Sequence, residues 1–282
     1  MSYFNSNLYF KSWFKKLKNI IIDHHSEIRV ISFVFFLSVF YILEIIFPFK
    51  SFLTFKMTRW VNNFSIFFIN TILLKFIFPF LLITICIYVN EFNIGILNQF
   101  NLNIILSSIL SILIFDLIIY FQHLVFHKNN FLWKIHRVHH SDIHLDITTG
   151  LRFHPLEILI SLSIKTLFII LIGPPVIGYL LFEIILNSSS MFTHSNIKIS
   201  RKIDKIISKV IITPNLHRIH HSIKKDDQLK NFGFNLILWD HIFKTYTNYP
   251  ESNFSNLKVG VIELNKKNEL WIHKLLIQPF KK

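Results

Sequence analysis

Residues 156–186 read LEILISLSIKTLFIILIGPPVIGYLLFEIIL, an apolar stretch of 31 residues. One helix of that length would measure about 46 Å at about 1.5 Å per residue, which is too long for a hydrocarbon core of about 30 Å. The sequence Gly173-Pro174-Pro175 interrupts a helix near the middle, because proline lacks a backbone N–H and clashes with the preceding turn. The stretch therefore predicts two helices that return to the side of the membrane from which they entered, a re-entrant hairpin.

Three further apolar runs, over residues 30–47, 66–89 and 103–121, approach the length of a membrane span. The second contains Lys75 and Pro79, so it is an incomplete or re-entrant segment, a kinked span, or a span with a snorkelling lysine; we favour the first interpretation. The composition agrees with membrane insertion, since 52% of the residues are hydrophobic and 16% are charged. The sequence predicts an all-α integral membrane protein built as a bundle of transmembrane helices.

The chain is strongly basic, with 30 Lys and Arg against 16 Asp and Glu, and much of the excess follows residue 197. Basic segments that flank membrane spans lie on the cytoplasmic side, which predicts a cytoplasmic C-terminal portion. In a chain with long apolar runs, anionic lipid headgroups are the expected partner of this charge, and nucleic acid is not. The single cysteine, Cys86, excludes disulfides and cysteine-ligated clusters within one chain, so any metal must be bound by His, Asp or Glu.

These patterns predict four regions along the chain. We expect a basic amphipathic segment over residues 1–29 and a transmembrane region over residues 30–121. A catalytic region that includes the membrane hairpin follows over residues 122–247, and a basic tail over residues 248–282.

The spacing of the histidines is the most informative feature, since 12 of the 15 fall between His123 and His241. His123 and His127 are four residues apart, so a helix places them on one face. The pattern H-x-x-H-H occurs twice, and we expect each copy to direct three imidazoles to one site. Eight imidazoles exceed what one ion binds and predict two metal ions, which imidazole alone does not identify among Fe, Zn, Cu and Ni. The two copies are His136, His139 and His140, and His217, His220 and His221.

Four carboxylates are candidates for supporting roles. Ligating imidazoles usually donate their second N–H to a carboxylate or a carbonyl, and Asp116, Asp142 and Asp240 are placed to accept it. Asp116 and Glu183 lie within apolar helical stretches, where a carboxylate is costly and suggests function. The alternative for both is polar packing between helices.

Over residues 110–247 the sequence resembles the fatty acid hydroxylase/sterol desaturase superfamily, on several motifs in the family's order. The motifs are Asp116 with His123 and His127, residues 132–142 (LWKIHRVHHSD), 152–155 (RFHP), 192–194 (FTH), 213–222 (TPNLHRIHHS), 231–233 (NFG) and 239–243 (WDHIF). One departure is Phe243-Lys244-Thr245, where the family has Phe-Gly-Thr.

The resemblance implies a membrane anchor with a cytoplasmic helical cap that carries the histidine boxes. In this family such histidines bind two iron ions that activate O2 to hydroxylate or desaturate a lipid of sterol, fatty acyl or alkylglycerol type. The resemblance implies all eight histidines as ligands and adds His194, whereas His154 either binds metal or holds the cap together. Electrons would come from an external donor such as cytochrome b5 or a ferredoxin, since the chain has no glycine-rich flavin or nicotinamide fingerprint.

Two other functions compete with this interpretation. A membrane metal-binding or transport protein would relay ions through histidines, but transport sites usually lie near the membrane midplane, and most of these histidines lie outside the apolar runs. A zinc hydrolase would use fewer ligands and an open position on the metal.

Overall fold

The computed structural model describes residues 2–51, 54–77, 82–249, 254, 257–264 and 266–281, with side chains from residue 20 onward. Extended segments in this part of the chain form isolated bridges only, such as Ile211 with Leu236. The predicted all-α class is therefore confirmed. The α-helices are α1 (Ser2–Ile46), α2 (Lys56–Ile77), α3 (Leu82–Glu91), α4 (Ile104–Lys128), α5 (Asn130–His140), α6 (Pro155–Ile172), α7 (Val176–His194), α8 (Arg201–Ile207), α9 (Pro214–His220), α10 (Lys225–Gln228), α11 (Leu238–Ile242) and α12 (Ile272–Ile277).

Within the described ranges, five helical segments are long and apolar enough to cross a membrane. The first of them contains a kink at His24 of α1, where the backbone leaves helical geometry. The chain thus has the helices of a multi-pass membrane protein. The segments are Ile20–Ile46, Lys56–Gln99, Ile104–Lys128, Pro155–Ile172 and Val176–His194.

The apolar stretch of residues 156–186 forms two helices, as predicted. α6 has 18 residues and α7 has 19, and the turn between them begins at Gly173. Gly173 has φ +64°, and a Cβ on it would lie 2.4 Å from the carbonyl oxygen of Ile94, so no other residue fits there without displacement. The re-entrant course of this hairpin stays a prediction.

The run predicted over residues 66–89 differs from the structure at its start. Helix α2 already begins at Lys56, and its first turns bury Arg59, Asn62 and Asn63. A hydropathy pattern cannot reveal this part of the helix, because its buried face is polar. The predicted interruption at Pro79 lies outside the described residues.

The chain divides into two compact units, and every candidate metal-ligating histidine belongs to the second. In unit 1, the ring of Phe115 meets that of Tyr179 edge-on, with the centroids 5.1 Å apart. Glu183 forms an ion pair with Arg29 at 3.3 Å in the same unit. Unit 1 comprises Met1–Phe35, Phe80–Phe115 and Ile164–Ile184, and unit 2 comprises Phe36–Pro79, Asp116–Ser163 and Ile185–Lys282.

The C-terminal segment, predicted as a basic tail over residues 248–282, packs into unit 2 through α12. Leu275, in α12, is fully buried in a cluster with Ile66 of α2 and Val138 of α5. Burial of such a side chain stabilises the folded state by about 1.5–3 kcal/mol. The segment therefore braces α5, the helix that carries three of the candidate ligands.

Candidate metal centre

Nine histidines lie in two buried groups, which contain all eight histidines of the spacing pattern together with His194. Within each group, one ring nitrogen from each residue lies within 4.8 Å of every other. The first group is His123, His127, His136, His140 and His220, and the second is His139, His194, His217 and His221.

Two helix caps position the short helices that carry most of these side chains. Asn129 starts α5, because its Oδ1 accepts hydrogen bonds from the backbone N–H groups of Phe131 at 3.0 Å and Leu132 at 3.1 Å. Thr213 caps α9 in the same way, and Pro214 occupies the first turn, where its missing N–H costs nothing. The caps fix where each helix begins and therefore which way its histidines point.

The two H-x-x-H-H motifs are divided between the groups, so the expectation that each motif serves one site is wrong. In α5, His136 and His140 join the first group, while His139 joins the second. In α9 and the residue after it the assignment is reversed: His217 and His221 join the second group and His220 the first. The reason is helical geometry, because residues i and i+4 are about 40° apart around a helix, whereas residue i+3 is about 100° from residue i+4. Each motif thus contributes a pair to one group and a single ring to the other.

Hydrogen bonds at Nδ1 orient five of the rings, so that Nε2 is free to face the interior of its group. A carbonyl or carboxylate oxygen only accepts, so each of these Nδ1 atoms must carry the proton and Nε2 must carry a lone pair. This is how proteins usually fix a metal-binding imidazole. The pairs are His123 with Phe232 O (2.8 Å), His136 with Glu157 Oε1 (2.7 Å), His139 with Arg152 O (3.3 Å), His194 with Ser190 O (2.6 Å) and His220 with Lys230 O (2.7 Å).

The second group brings Nε2 atoms closer together than neutral imidazoles would tolerate. The Nε2 of His194 is 2.9 Å from that of His139 and 2.9 Å from that of His217. His139 and His194 both donate from Nδ1, so two lone pairs face each other at hydrogen-bond distance without a proton between them. A cation among these nitrogens would turn that repulsion into attraction, so the donor set fits a metal ion.

Within the described ranges, the nitrogen atoms of the first group also lack a positively charged partner. The Nε2 atoms of His127, His136, His140 and His220 are all buried and have no hydrogen-bond partner among the residues that the structure describes. Leaving a buried polar atom unpaired costs about 1–3 kcal/mol, so the donor set of this group also fits a metal ion. The groups are adjacent, because the rings of His140 and His221 stack with centroids 4.1 Å apart. Burial, followed by repulsion between imidazoles, lowers the pKa of both rings well below 6.5, which keeps them neutral and able to bind metal.

Sequence reasoning missed Glu157, the carboxylate that contacts a histidine of the first group. Its Oε1 lies 2.7 Å from Nδ1 of His136, and both side chains are buried. The available signal was an acidic residue in the first turn of a mostly apolar helix, two residues after the Arg-Phe-His-Pro motif. We infer that Glu157 orients the His136 ring.

We expect Glu157→Leu to weaken metal binding to the first group about 10- to 100-fold, because the His136 ring loses the acceptor that orients it. Competition with a chelator of known affinity measures this on the purified chain. Glu157→Gln keeps an acceptor oxygen without the charge, so its metal affinity should lie between that of the native chain and that of Glu157→Leu. Native affinity in the leucine variant would contradict the assignment.

Asp116 and Asp240 have partners other than the histidines predicted for them. Asp116 accepts hydrogen bonds from Asn235 Nδ2 at 2.7 Å and Trp239 Nε1 at 2.8 Å, and thereby holds the loop before α11. Asp240 accepts from the backbone N–H groups of Phe232 and Gly233, both at 2.8 Å. Asp240 does not contact His123, because the carbonyl oxygen of Phe232 already accepts the Nδ1 proton of that histidine. Asp240 acts on His123 only by holding the backbone of Phe232.

Asp142 also has partners other than the predicted histidines and belongs to a buried ionic network behind α5. It accepts from the Arg59 guanidinium through two contacts, one of them from Nη2 at 2.9 Å. Arg59 Nη1 also donates to Asp146 Oδ2 at 2.7 Å. Burial by itself would raise the pKa of Asp142, but the charges of Arg59 and Arg152 lower it well below 3.8. The Arg152 guanidinium donates from Nη2 to Ser141 Oγ at 2.8 Å, so the network holds the end of α5.

His154 and Glu183 lie in neither histidine group. His154 Nε2 donates to the carbonyl oxygen of Leu276 at 3.1 Å, and its Nδ1 accepts from the backbone N–H of Leu156 at 3.1 Å. Nε2 therefore holds the C-terminal segment and Nδ1 holds the first turn of α6, which agrees with the second of the two alternatives for this residue. Glu183 pairs with Arg29 in unit 1.

These features define a class of protein: a multi-pass helical membrane protein with buried histidine groups able to bind metal. Residues 108–245 match the fatty acid hydroxylase family. This match, together with the relatives described below, confirms the resemblance of the motifs to the fatty acid hydroxylase/sterol desaturase superfamily.

Similar proteins include two kinds of lipid-modifying enzyme. The ornithine lipid hydroxylase OlsE of Rhizobium tropici is 29% identical over 152 residues, which cover 54% of this chain and 45% of that protein. The alkylglycerol monooxygenase of Danio rerio is 28% identical over 167 residues, covering 58% of this chain and 35% of that protein, and the human one is 28% identical over 130 residues, covering 45% and 27%. The alignments thus span less than half of each relative's length. No solved structure matches the chain.

The turn at Phe243-Lys244-Thr245, where the family has Phe-Gly-Thr, places its lysine in a backbone conformation typical of glycine. Lys244 has φ +58°, in the left-handed region that favours glycine. Thr245 N donates to the carbonyl oxygen of Asp240 at 2.9 Å. The Thr245 hydroxyl also forms a hydrogen bond of 2.8 Å with the hydroxyl of Tyr120. These contacts hold the lysine where the family has glycine.

Proposed function

We propose that this protein is an O2-dependent oxidoreductase that hydroxylates or desaturates a lipid at a centre of two iron ions. The observation that carries the proposal is the convergence of nine histidines, eight of them buried and His127 half-buried, into two adjacent groups. Four Nε2 atoms of the first group have no hydrogen-bond partner among the described residues, and the Nε2 atoms of His139 and His194 in the second group lie 2.9 Å apart. The relatives named ornithine lipid hydroxylase and alkylglycerol monooxygenase support a lipid substrate.

The residues of this chain would bind and orient the metal and exclude water from it. Bound iron would supply the activation of O2 and the oxidation of a C–H bond. The ring of Phe153 stacks on His139 with centroids 4.4 Å apart, and Phe232 packs against His123 at 5.6 Å. Such apolar cover keeps bulk water from the histidines and lowers the local dielectric constant. Electrons would come from an external donor such as cytochrome b5 or a ferredoxin.

We further propose that the histidine site faces the cytoplasm. The excess of Lys and Arg after residue 197 supports this orientation, because such residues accumulate on the cytoplasmic side of membrane proteins.

Comparative lipid analysis tests the function. Cells that produce the native chain under 18O2 should contain a lipid that has gained one labelled oxygen atom or lost two hydrogen atoms. Cells that produce the double variant His139→Ala/His220→Ala, with one change in each group, should lack it. Tight metal binding with no O2-dependent lipid change, but with metal flux into reconstituted vesicles, would favour the transport alternative.

A further inference from the structure

A second polar cluster lies in unit 2, outside both histidine groups. It surrounds a small pocket of ≈ 20 Å³ whose lining includes three basic side chains, Lys50, His144 and Arg218, together with Asn196 and Phe49. We call it the basic pocket. A cavity of about 10–15 Å³ holds one water molecule, so the basic pocket has room for one or two oxygen atoms of a ligand.

Backbone pairing builds one wall of the basic pocket. The segment after α1 meets the segment after α7, where Phe49 N donates to the carbonyl oxygen of Asn196 at 2.7 Å. The side chain of Asn196 then binds both backbone groups of Lys50: its Nδ2 donates to Lys50 O at 2.8 Å, and its Oδ1 accepts from Lys50 N at 3.1 Å. The backbone of Lys50 is therefore fixed at the rim of the pocket.

Arg218 brings a buried positive charge whose described partners are neutral. Its side chain is 4% exposed and donates from Nη2 to the carbonyl oxygens of Ser195 at 2.7 Å and Ile197 at 2.9 Å. Its Nη1 donates to Asn215 Oδ1 at 2.7 Å, and the guanidinium lies 4.0 Å from the ring centroid of Phe49.

No carboxylate of the described residues neutralises this charge by direct contact. Asp204 and Glu44 are the acidic groups whose fields reach Arg218, and neither forms an ion pair with it within the described ranges. Lys50 likewise has no ion pair there, and burial together with the Arg218 charge lowers the pKa of its ammonium group. The Nδ1 atom of His144 is buried and has no hydrogen-bond partner in the described part of the chain. An oxyanion placed among these groups would relieve the repulsion and supply the missing partner.

The position of the basic pocket indicates the source of such an anion. Lys50 follows closely on Ile46, the last residue of a candidate membrane span, and Asn196 follows closely on His194, the last residue of another. Both walls therefore stand where a span leaves the hydrocarbon core, which is the level of the lipid headgroups. We propose that the basic pocket binds an anionic oxygen group, a phosphate or a carboxylate, of a membrane lipid headgroup.

A binding measurement on the full chain, purified in neutral detergent, tests this site. Phosphatidic acid with short acyl chains should bind more tightly than phosphatidylcholine with the same chains or inorganic phosphate. We expect Lys50→Gln to weaken phosphatidic acid binding by about tenfold or more, the loss of one hydrogen bond to a charged group. Lys198→Gln is the matched control, because it removes the same charge from an exposed side chain. Lys198 lies in the segment after α7 that pairs with the segment after α1, since its backbone N–H donates to the carbonyl oxygen of Phe47.

Three results would overturn the proposal. They are equal affinity in the two lysine variants, equal affinity for the two phospholipids, and binding of inorganic phosphate as tight as that of phosphatidic acid, which would indicate a free-ion site. An unchanged thermal midpoint of Lys50→Gln confirms that the variant folds. The measurement needs neither iron nor turnover, so its outcome is independent of the proposed oxygenase activity.

Discussion

Replacing His194 with alanine is expected to leave the purified chain with about one bound metal ion in place of about two and to abolish lipid oxidation. His194 is central to the second group, since its Nε2 lies 2.9 Å from the Nε2 of both His139 and His217. Its loss leaves that group with three imidazoles, whereas the five histidines of the first group are untouched. Metal analysis of the purified variant after iron loading measures the number of metal ions bound per chain.

Two other histidine variants make this result specific. His241→Ala removes an exposed ring that stacks on Tyr246, and it should retain the native metal content and activity. His154→Ala removes a buried ring that is hydrogen-bonded to Leu276, so it should lower the thermal midpoint while the folded fraction keeps both ions. If His194→Ala retained native metal content, or if His154→Ala lost one ion per folded chain, the assignment of the two groups would be contradicted.

Replacing Arg59 with methionine should produce the largest loss of stability. Arg59 is fully buried and is the cation that neutralises Asp142 and Asp146, both of which are also fully buried. Removing one partner of a buried ion pair costs about 3–5 kcal/mol, because the remaining charges stay in a poorly solvated environment. Thermal unfolding in detergent should show a much lower midpoint. Metal content should fall as well, since the network holds the end of α5.

Matched changes separate this effect from a general loss of charge. Arg201→Met alters an exposed arginine at the start of α8 and should leave the thermal midpoint nearly unchanged. Adding Asp146→Asn to Arg59→Met removes the excess negative charge and leaves Asp142 with Arg152, so it should restore part of the lost stability. A midpoint for Arg59→Met equal to that of Arg201→Met would show that the network does not stabilise the fold.

The sequence was sufficient for features that depend on local geometry. Histidines three and four residues apart approach each other on any helix, so His123 with His127 and the two H-x-x-H-H motifs indicated a multinuclear metal site before any tertiary contact was known. The Gly-Pro-Pro interruption of residues 156–186 predicted α6 and α7 for a similar reason, because proline acts on its own turn. The superfamily followed from the order of these motifs.

The tertiary structure decided which groups meet across the chain. Arg59 and Asp142 are separated by 83 residues, and nothing in the polar first turns of α2 shows that they are buried. Glu157 contacts His136 only because α6 returns past α5.

The division of each histidine motif between two groups likewise required α4, α5, α7 and α9 to pack around one centre. Helical spacing determined which histidines share a face, whereas the packing of the four helices determined the group that each face meets. Local backbone geometry follows from neighbouring residues, but the partner of a buried polar group depends on which distant segment reaches it first, and a single sequence does not record that.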